Sequence, residues 1–365
     1  MPSPTAFLHL AALVAVAVAI PSNTTSPVSR TDTAKRATCT VNSVASAADL
    51  SSCTAVIITA FTVPSGRTFL SYPHIIAASG ATVTMQGDIT FAKTTAAGPL
   101  LTFNTANIVF NGGDRTINGN GAMYWDGQGT NGGVAKPHPF VLNSPAQAIS
   151  VGTTGTTVIS GITVDNSAGD AGALGHNTDG FDISASSVTV AKCVVKNQDD
   201  CVAINSGTGI VIEDSTCSGG HGISIGSIAT GKTVSTVTIA RNTVTNGLYG
   251  LRIKASASVS NVIYEANTIS GITEYGVLIS QSYPDNDGTP GTGAPISAVS
   301  FTEGTTNVAV GSSAHTLVVD CGACSGTWDF SGLHATGGVG HIIAANKATV
   351  RQLFFYPALH LTAWV

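Results

Sequence analysis

Gly180-Phe181-Asp182-Ile183, Cys201-Val202-Ala203-Ile204 and Gly222-Ile223-Ser224-Ile225 are three phrases of one shape, and their closing isoleucines stand 21 residues apart twice in succession. Gly250-Leu251-Arg252-Ile253 and Gly276-Val277-Leu278-Ile279 repeat the phrase after 28 and then 26 residues. A short apolar phrase returning every ~20–28 residues marks a solenoid. Between the phrases lie β-branched runs such as SSVTVAKCVVKN (186–197), STVTIARNTV (235–244) and SNVIYEANTISG (260–271), punctuated by Gly, Asn, Asp and Ser. They read as short strands with frequent turns, and no window sustains a helical period. A leucine-rich signature and intervening helices are both missing. The spacing therefore predicts an all-β, right-handed parallel β-helix in a single domain. A β-sandwich with hairpin turns at 8–12-residue spacing stands as the alternative.

The composition agrees with a solenoid. Of 365 residues, 43% are hydrophobic, only 10% are charged, and 41 are Gly. Stacked coils bury inward side chains on their neighbours and accept Gly, Asn and Ser at the bends. A net charge of −5 excludes a basic nucleic-acid footprint and a polybasic membrane anchor. The apolar content excludes disorder.

The apolar stretch 6–20 is too short to span a bilayer and ends in small residues, so 1–19 reads as a signal peptide. Residues 20–36 form a Ser/Thr/Pro pro-segment closing on Lys35-Arg36, a processing site that leaves a mature, secreted chain. Asn23-Thr24-Thr25, the one glycosylation sequon, falls inside that segment. Seven cysteines fit export. Pairing nearest neighbours gives Cys39–Cys53, Cys201–Cys217 and Cys321–Cys324, with Cys193 left as a buried thiol. No Cys/His cluster has zinc spacing, and no metal is expected.

Asp179, Asp200 and His221 are also 21 residues apart, in step with the isoleucines. Equivalent positions on parallel coils stack at ~4.7–4.9 Å, so Asp179 and Asp200 should be neighbours, with His221 one coil on. Asp199 adds a third carboxylate. Arg252 and Lys254 flank Ile253 and point outward together. Crowded carboxylates cannot all ionise, so at least one keeps a proton for general acid work while others activate water. That is the two-carboxylate logic of glycoside hydrolysis, with Arg252 and Lys254 placed to hold an anionic substrate. Isolated Asp residues in surface turns would show no such register.

Four segments in order resemble the signatures of the polygalacturonase family: His176-Asn177-Thr178-Asp179-Gly180-Phe181-Asp182, Gln198-Asp199-Asp200-Cys201, Gly219-Gly220-His221-Gly222-Ile223-Ser224-Ile225-Gly226-Ser227, and Arg252-Ile253-Lys254. Asn118-Gly119-Asn120-Gly121, Tyr124-Trp125-Asp126-Gly127, and Asn131-Gly132-Gly133 through Lys136-Pro137 extend the likeness, which runs from about Cys39 to Thr336. The resemblance is to fungal secreted, endo-acting members. It implies hydrolysis of α-1,4-galacturonosyl linkages in de-esterified pectin without a cofactor. By motif, Asp199 matches the general acid, and Asp179 and Asp200 match the pair that activates water. His221 matches the group that maintains the acid. Arg252 and Lys254 match binders of the galacturonate carboxylate, and Asn177, Asp182 and Tyr275 match cleft residues. The expected partners are a polygalacturonate chain and plant polygalacturonase-inhibiting proteins. No nucleic acid or membrane partner is expected, and the chain should be monomeric.

Two features pull against the family pattern. Stacking on adjacent coils predicts closely spaced carboxylates, which the separation rule assigns to retention at ~5–5.5 Å; the resemblance nevertheless implies inversion. After Gly338 a final cysteine pair is missing, so the catalytic β-helix is expected to span 37–338 and residues 339–365 to be an atypical tail without a coil phrase. The rival functions are an exo-acting or rhamnogalacturonan hydrolase, a pectin lyase, and a non-catalytic wall-polysaccharide binder. A lyase would need calcium carboxylates and a Lys or Arg base. The binder would not hold Asp, His, Arg and Lys in register.

Overall fold

The computed structural model describes residues 37–47, 49–66, 78–95, 106–136, 144–285, 288–351 and 354–356. The expected signal peptide, pro-segment and sequon lie outside these residues, as do Pro137 and the last nine positions. Every ladder between described strands is parallel, and each strand pairs with the equivalent strand one coil away. This excludes the sandwich, whose hairpins require antiparallel pairs. The chain is a right-handed parallel β-helix.

From Ile149–Val151 onward, the coils contribute strands to three sheets. One, which carries the site, contains Phe181–Ser184, the start of Val202–Glu213, Ile223–Ile225, Tyr249–Lys254, Tyr275–Ser280, His315–Asp320 and Gly340–Ala344. A second continues through Val188–Ala191, Thr233–Ala240, Ser258–Glu265 and Ile296–Phe301. A third holds Val194–Asn197, Thr216–Gly219, Thr243–Thr245 and Thr268–Ile272.

The phrase repeat is the core register. Ile183, Ile204, Ile225, Ile253 and Ile279 pair in one column, and Val319 and Ile343 continue it. The five isoleucines are fully buried. Each is worth roughly 1.5–3 kcal/mol relative to an exposed side chain. A second ladder runs along the bend into the third sheet, where each side chain accepts a hydrogen bond from the preceding coil's backbone N–H. Ser215 accepts from Cys193 at 3.0 Å, Asn242 from Ser215 at 3.0 Å, and Asn267 from Asn242 at 3.0 Å. Polar side chains thus satisfy buried bend amides that no sheet ladder can reach. Cys193 occupies one rung of this ladder as a buried free thiol, and burial pushes it up to about 11. The three nearest-neighbour disulfides are all present.

The expected end of the coil at Gly338 is too early. Gly340–Ala344 pairs with His315–Asp320, and Lys347–Arg351 pairs with Cys324–Asp329. The open edge of a parallel sheet offers unpaired amides and carbonyls to any following extended segment. Gly340-His341-Ile342-Ile343 repeats the glycine-led phrase and pairs Ile343 with Val319, while ATVR takes the neighbouring edge.

Candidate active site

The site forms where the third sheet turns into the site sheet. Those turns carry Asp199 and Asp200 on one coil and His221 on the next, while His176 to Asp179 precede Phe181–Ser184. A cavity of about 470 Å³ opens over them. Its walls include Asn177, Asp179, Asp182, Asp199, Asp200, His221, Arg252 and Lys254, so eight of the nine expected site residues converge.

Asp199 is the most heavily hydrogen-bonded carboxylate. Its Oδ1 shares a 2.9 Å bond with His221 Nδ1 and accepts the Asp200 N–H at 2.8 Å. Its Oδ2 accepts from Asn177 Nδ2 at 3.2 Å. Asn177 is itself held by the loop from Asp126 to Lys136, because its Oδ1 accepts the Thr130 N–H and hydroxyl at 3.1 and 3.2 Å. That loop is closed by Asp126, whose carboxylate meets Lys136 Nζ at 2.7 Å and the Val134 N–H at 2.7 Å.

Asp200 is enclosed. Ser224 Oγ donates to its Oδ1 at 2.6 Å, and Lys254 Nζ lies 2.5 Å from its Oδ2. Lys254 therefore faces the cavity as expected, but it is already ion-paired with a carboxylate. Arg252 sits with its guanidinium carbon 4.3 Å from the Tyr249 ring centroid. Both cations point outward from the β-helix core yet are buried, because the cavity walls close over them.

The carboxylates split in their affinity for protons. Asp179 Oδ1 is buried without a hydrogen-bond partner. Burial, then the charges of Asp199, Asp182 and Asp200, raise this carboxyl well above its ordinary value. Burial also raises Asp182, to about 6, against a hydrogen bond from Asn205. Asp200 is raised by burial, with Lys254 opposing. Asp199 goes the other way: burial raises it, but the His221 hydrogen bond and charge, with Lys254, more than offset that. Within the cluster Asp179 thus holds a proton more readily than its ordinary value allows, and Asp199 less readily.

Tyr275 is the one expected residue not among the cavity walls. It stands one coil beyond Tyr249, stacked on it at 5.8 Å, and on His315 at 5.8 Å. The tyrosines among the cavity walls are Tyr249 and Tyr283, and the ring of Tyr283 is centred 5.7 Å from the Arg252 guanidinium and 5.6 Å from Lys254 Nζ. Tyr283 lies in the loop after Tyr275–Ser280, outside the phrase repeat, which is why spacing does not reveal it. A Tyr-Pro pair opening a long excursion between two coil strands is the signal that could have done so. Tyr249 and Ser224 were also missed, although both sit in quoted motif segments or beside them.

Two further hollows adjoin the cavity. One of about 450 Å³ is lined by Gln128, Asn131, His176 and Asn177, and one of about 600 Å³ by Asn246, Gly247 and Thr273. All three share His221. Oxygens of Asp199 and Asp200 and a His221 ring nitrogen lie within 4.8 Å of one another, a spacing that could hold a metal ion. Lys254 already supplies the positive charge at Asp200 and Asp199 already engages His221 Nδ1, so this donor set does not fit a resident metal.

Paired acid and anionic carboxylates in an elongated, amide-lined cleft with buried cations define a β-helical glycoside hydrolase. The chain belongs to glycosyl hydrolases family 28, whose sequence model matches residues 53–352. An endo-polygalacturonase of Sclerotinia sclerotiorum is 44% identical over 313 residues, covering 79% of this chain and 80% of its own. Endopolygalacturonase A of Aspergillus awamori is 41% identical over 364 residues, covering 93% and 95%. The solved structure of endopolygalacturonase I from Stereum purpureum, complexed with two galacturonates, superposes with a TM-score of 0.81 at 56% identity. It covers 87% of this chain and all of the other.

Proposed function

We infer that this protein is a secreted endo-polygalacturonase that hydrolyses internal α-1,4-galacturonosyl linkages of polygalacturonate. The observation that carries this is the cavity in which four carboxylates face Arg252 and Lys254, on a fold shared with an enzyme whose structure holds galacturonates. A galacturonosyl residue brings a carboxylate and a ring of hydroxyls. Arg252 gives the carboxylate a planar, always-charged partner, and Tyr283 closes over it.

Asp199 is the proton donor to the leaving oxygen, and Asp179 and Asp200 orient the attacking water. Without substrate, Asp179 binds a proton more readily than Asp199. An anionic substrate adds like charge and displaces water, and both raise the neighbouring carboxyls. Asp199, hydrogen-bonded to His221, then gains the proton, while Asp200 stays anionic beside Lys254. The cluster titrates as a unit, so one proton serves it at either position. The reaction inverts the anomeric centre, with the water held between crowded acids.

Supporting export are the apolar N-terminal stretch and three disulfides; no helix among the described residues is long and apolar enough to cross a membrane. The enzyme acts as a monomer, and plant polygalacturonase-inhibiting proteins are its expected protein partners. Comparing viscosity loss with reducing-end release on polygalacturonate tests the mode of cleavage. A large viscosity drop at a few per cent of bonds cut is expected, and release of monomer alone would refute endo action. NMR of the first products should show the β-anomer; initial α-anomer would overturn inversion.

A further inference from the structure

The register column that contains Asp179, Asp200 and His221 does not stop at the catalytic coils. Ile223 pairs with Leu251, which sets His221 beside Tyr249. Tyr249 pairs with Tyr275, and Tyr275 with His315. The four rings form one column: His221 lies tilted against Tyr249 at 5.3 Å and 57°, Tyr249 stacks on Tyr275 at 5.8 Å and 25°, and Tyr275 on His315 at 5.8 Å and 13°. Tyr249 is the junction, because its ring also lies 4.3 Å from the Arg252 guanidinium carbon.

We propose that Tyr249 is a positioning residue for hydrolysis, its ring holding both the Arg252 guanidinium and the His221 imidazole in working orientation. This rests on the reading of Arg252 and His221 given above. Arg252 is a long side chain with many rotamers, so its surroundings must supply whatever holds its guanidinium in one orientation. A flat, electron-rich ring face beside it favours one orientation and supplies attraction without a competing charge. The same ring packs against the imidazole whose Nδ1 meets Asp199, so its contact fixes the plane of that ring. Tyr249 forms part of the cavity wall but is itself buried, with the guanidinium against it and Tyr275 stacked on it, so it serves as a scaffold rather than a stacking platform for sugar. Tyr275 and His315 extend the scaffold along the next two coils.

The test uses the full-length secreted protein and polygalacturonate as substrate. Hydrolysis by the unaltered enzyme checks the functional reading by itself, and its absence would overturn that reading rather than this one. Y249F, which keeps the ring, should hold KM within about twofold. Y249L should raise KM about tenfold, the worth of a well-desolvated cation–π contact. In an R252Q background Y249L should cost much less than tenfold, because the cation that meets the ring is already gone. Independently of activity, the 15N shifts of the His221 imidazole should move in Y249L and stay in place in Y249F. If Y249L does not fold, Y249N gives the same readouts. An unchanged KM and unchanged imidazole shifts in the leucine variant would overturn the proposal. So would full additivity with R252Q, or a phenylalanine variant as impaired as the leucine one.

Discussion

Asp182 provides a quantitative test of how the buried carboxylates are tuned. Burial raises this carboxyl from 3.8 to about 6, with Asn205 and Lys254 opposing and Asp200 and Asp199 assisting. The folded protein therefore holds this proton more tightly than the unfolded chain does. Its contribution to stability is complete below pH 3.8, is lost as pH rises from 3.8 to 6, and stays lost above. A difference of ~2 pH units at ~1.4 kcal/mol each amounts to ~3 kcal/mol. Asp182→Asn keeps the shape and an oxygen to accept from Asn205 Nδ2, now 3.4 Å from the carboxylate, but cannot ionise. The variant should match the parent near pH 3.5 and exceed it by up to ~3 kcal/mol at pH 7 to 8. For a domain of this length that is ~4–5 °C in melting temperature. Denaturant unfolding at pH 3.5, 5, 6, 7 and 8 measures it directly. A constant difference between the two proteins across that range, or a less stable variant at pH 7 to 8, would show that the carboxyl is not held protonated by burial.

Three other outcomes follow from the same geometry. Asp199→Asn should lower kcat by ~10²–10⁴ with the fold retained, measured by reducing-end release and circular dichroism; normal turnover would remove Asp199 from the acid role. Lys254→Met leaves Asp200 buried without its cation and should destabilise by ~3–5 kcal/mol at pH 7, with the loss shrinking in acid as Asp200 takes up a proton. Denaturant curves at pH 4 and 7 check this, and equal losses at both would contradict the ion pair's role. Replacing Cys201 and Cys217 with serine opens a loop with a sequence separation of 16 next to Asp200. The expected cost is ~3 kcal/mol, read from the midpoint of urea unfolding, and an unshifted midpoint would refute it.

The fold was legible because a solenoid writes its period into the chain. Each inward isoleucine must sit on another, so phrases 21 residues apart in sequence become neighbours in register. The disulfides were legible for a related reason, since nearest cysteines fall on the same or adjoining coils. The expected tail is instead a further coil, because Gly340-His341-Ile342-Ile343 has the shape of the earlier phrases and pairs onto the open sheet edge. Tyr275 was misplaced because an aromatic in the correct phrase need not face the cleft, whereas Tyr283 enters it from a loop outside the period. Lys254 was correctly aimed, but its partnership with Asp200 depends on two coils of intervening packing.

By itself, the sequence determined the period, the stacking of Asp179, Asp200 and His221, and the family to which those motifs belong. Register is a one-dimensional property, and a parallel solenoid converts it directly into distance. Only the tertiary structure decided which carboxylate is pushed towards its protonated form and which away from it. Asp179 and Asp199 are the same residue type, and their difference comes from burial and partners: an unpaired oxygen in one, and His221, Asn177 and a backbone amide around the other. Those surroundings are assembled from several coils and the loop from Asp126 to Lys136, and no local spacing encodes them.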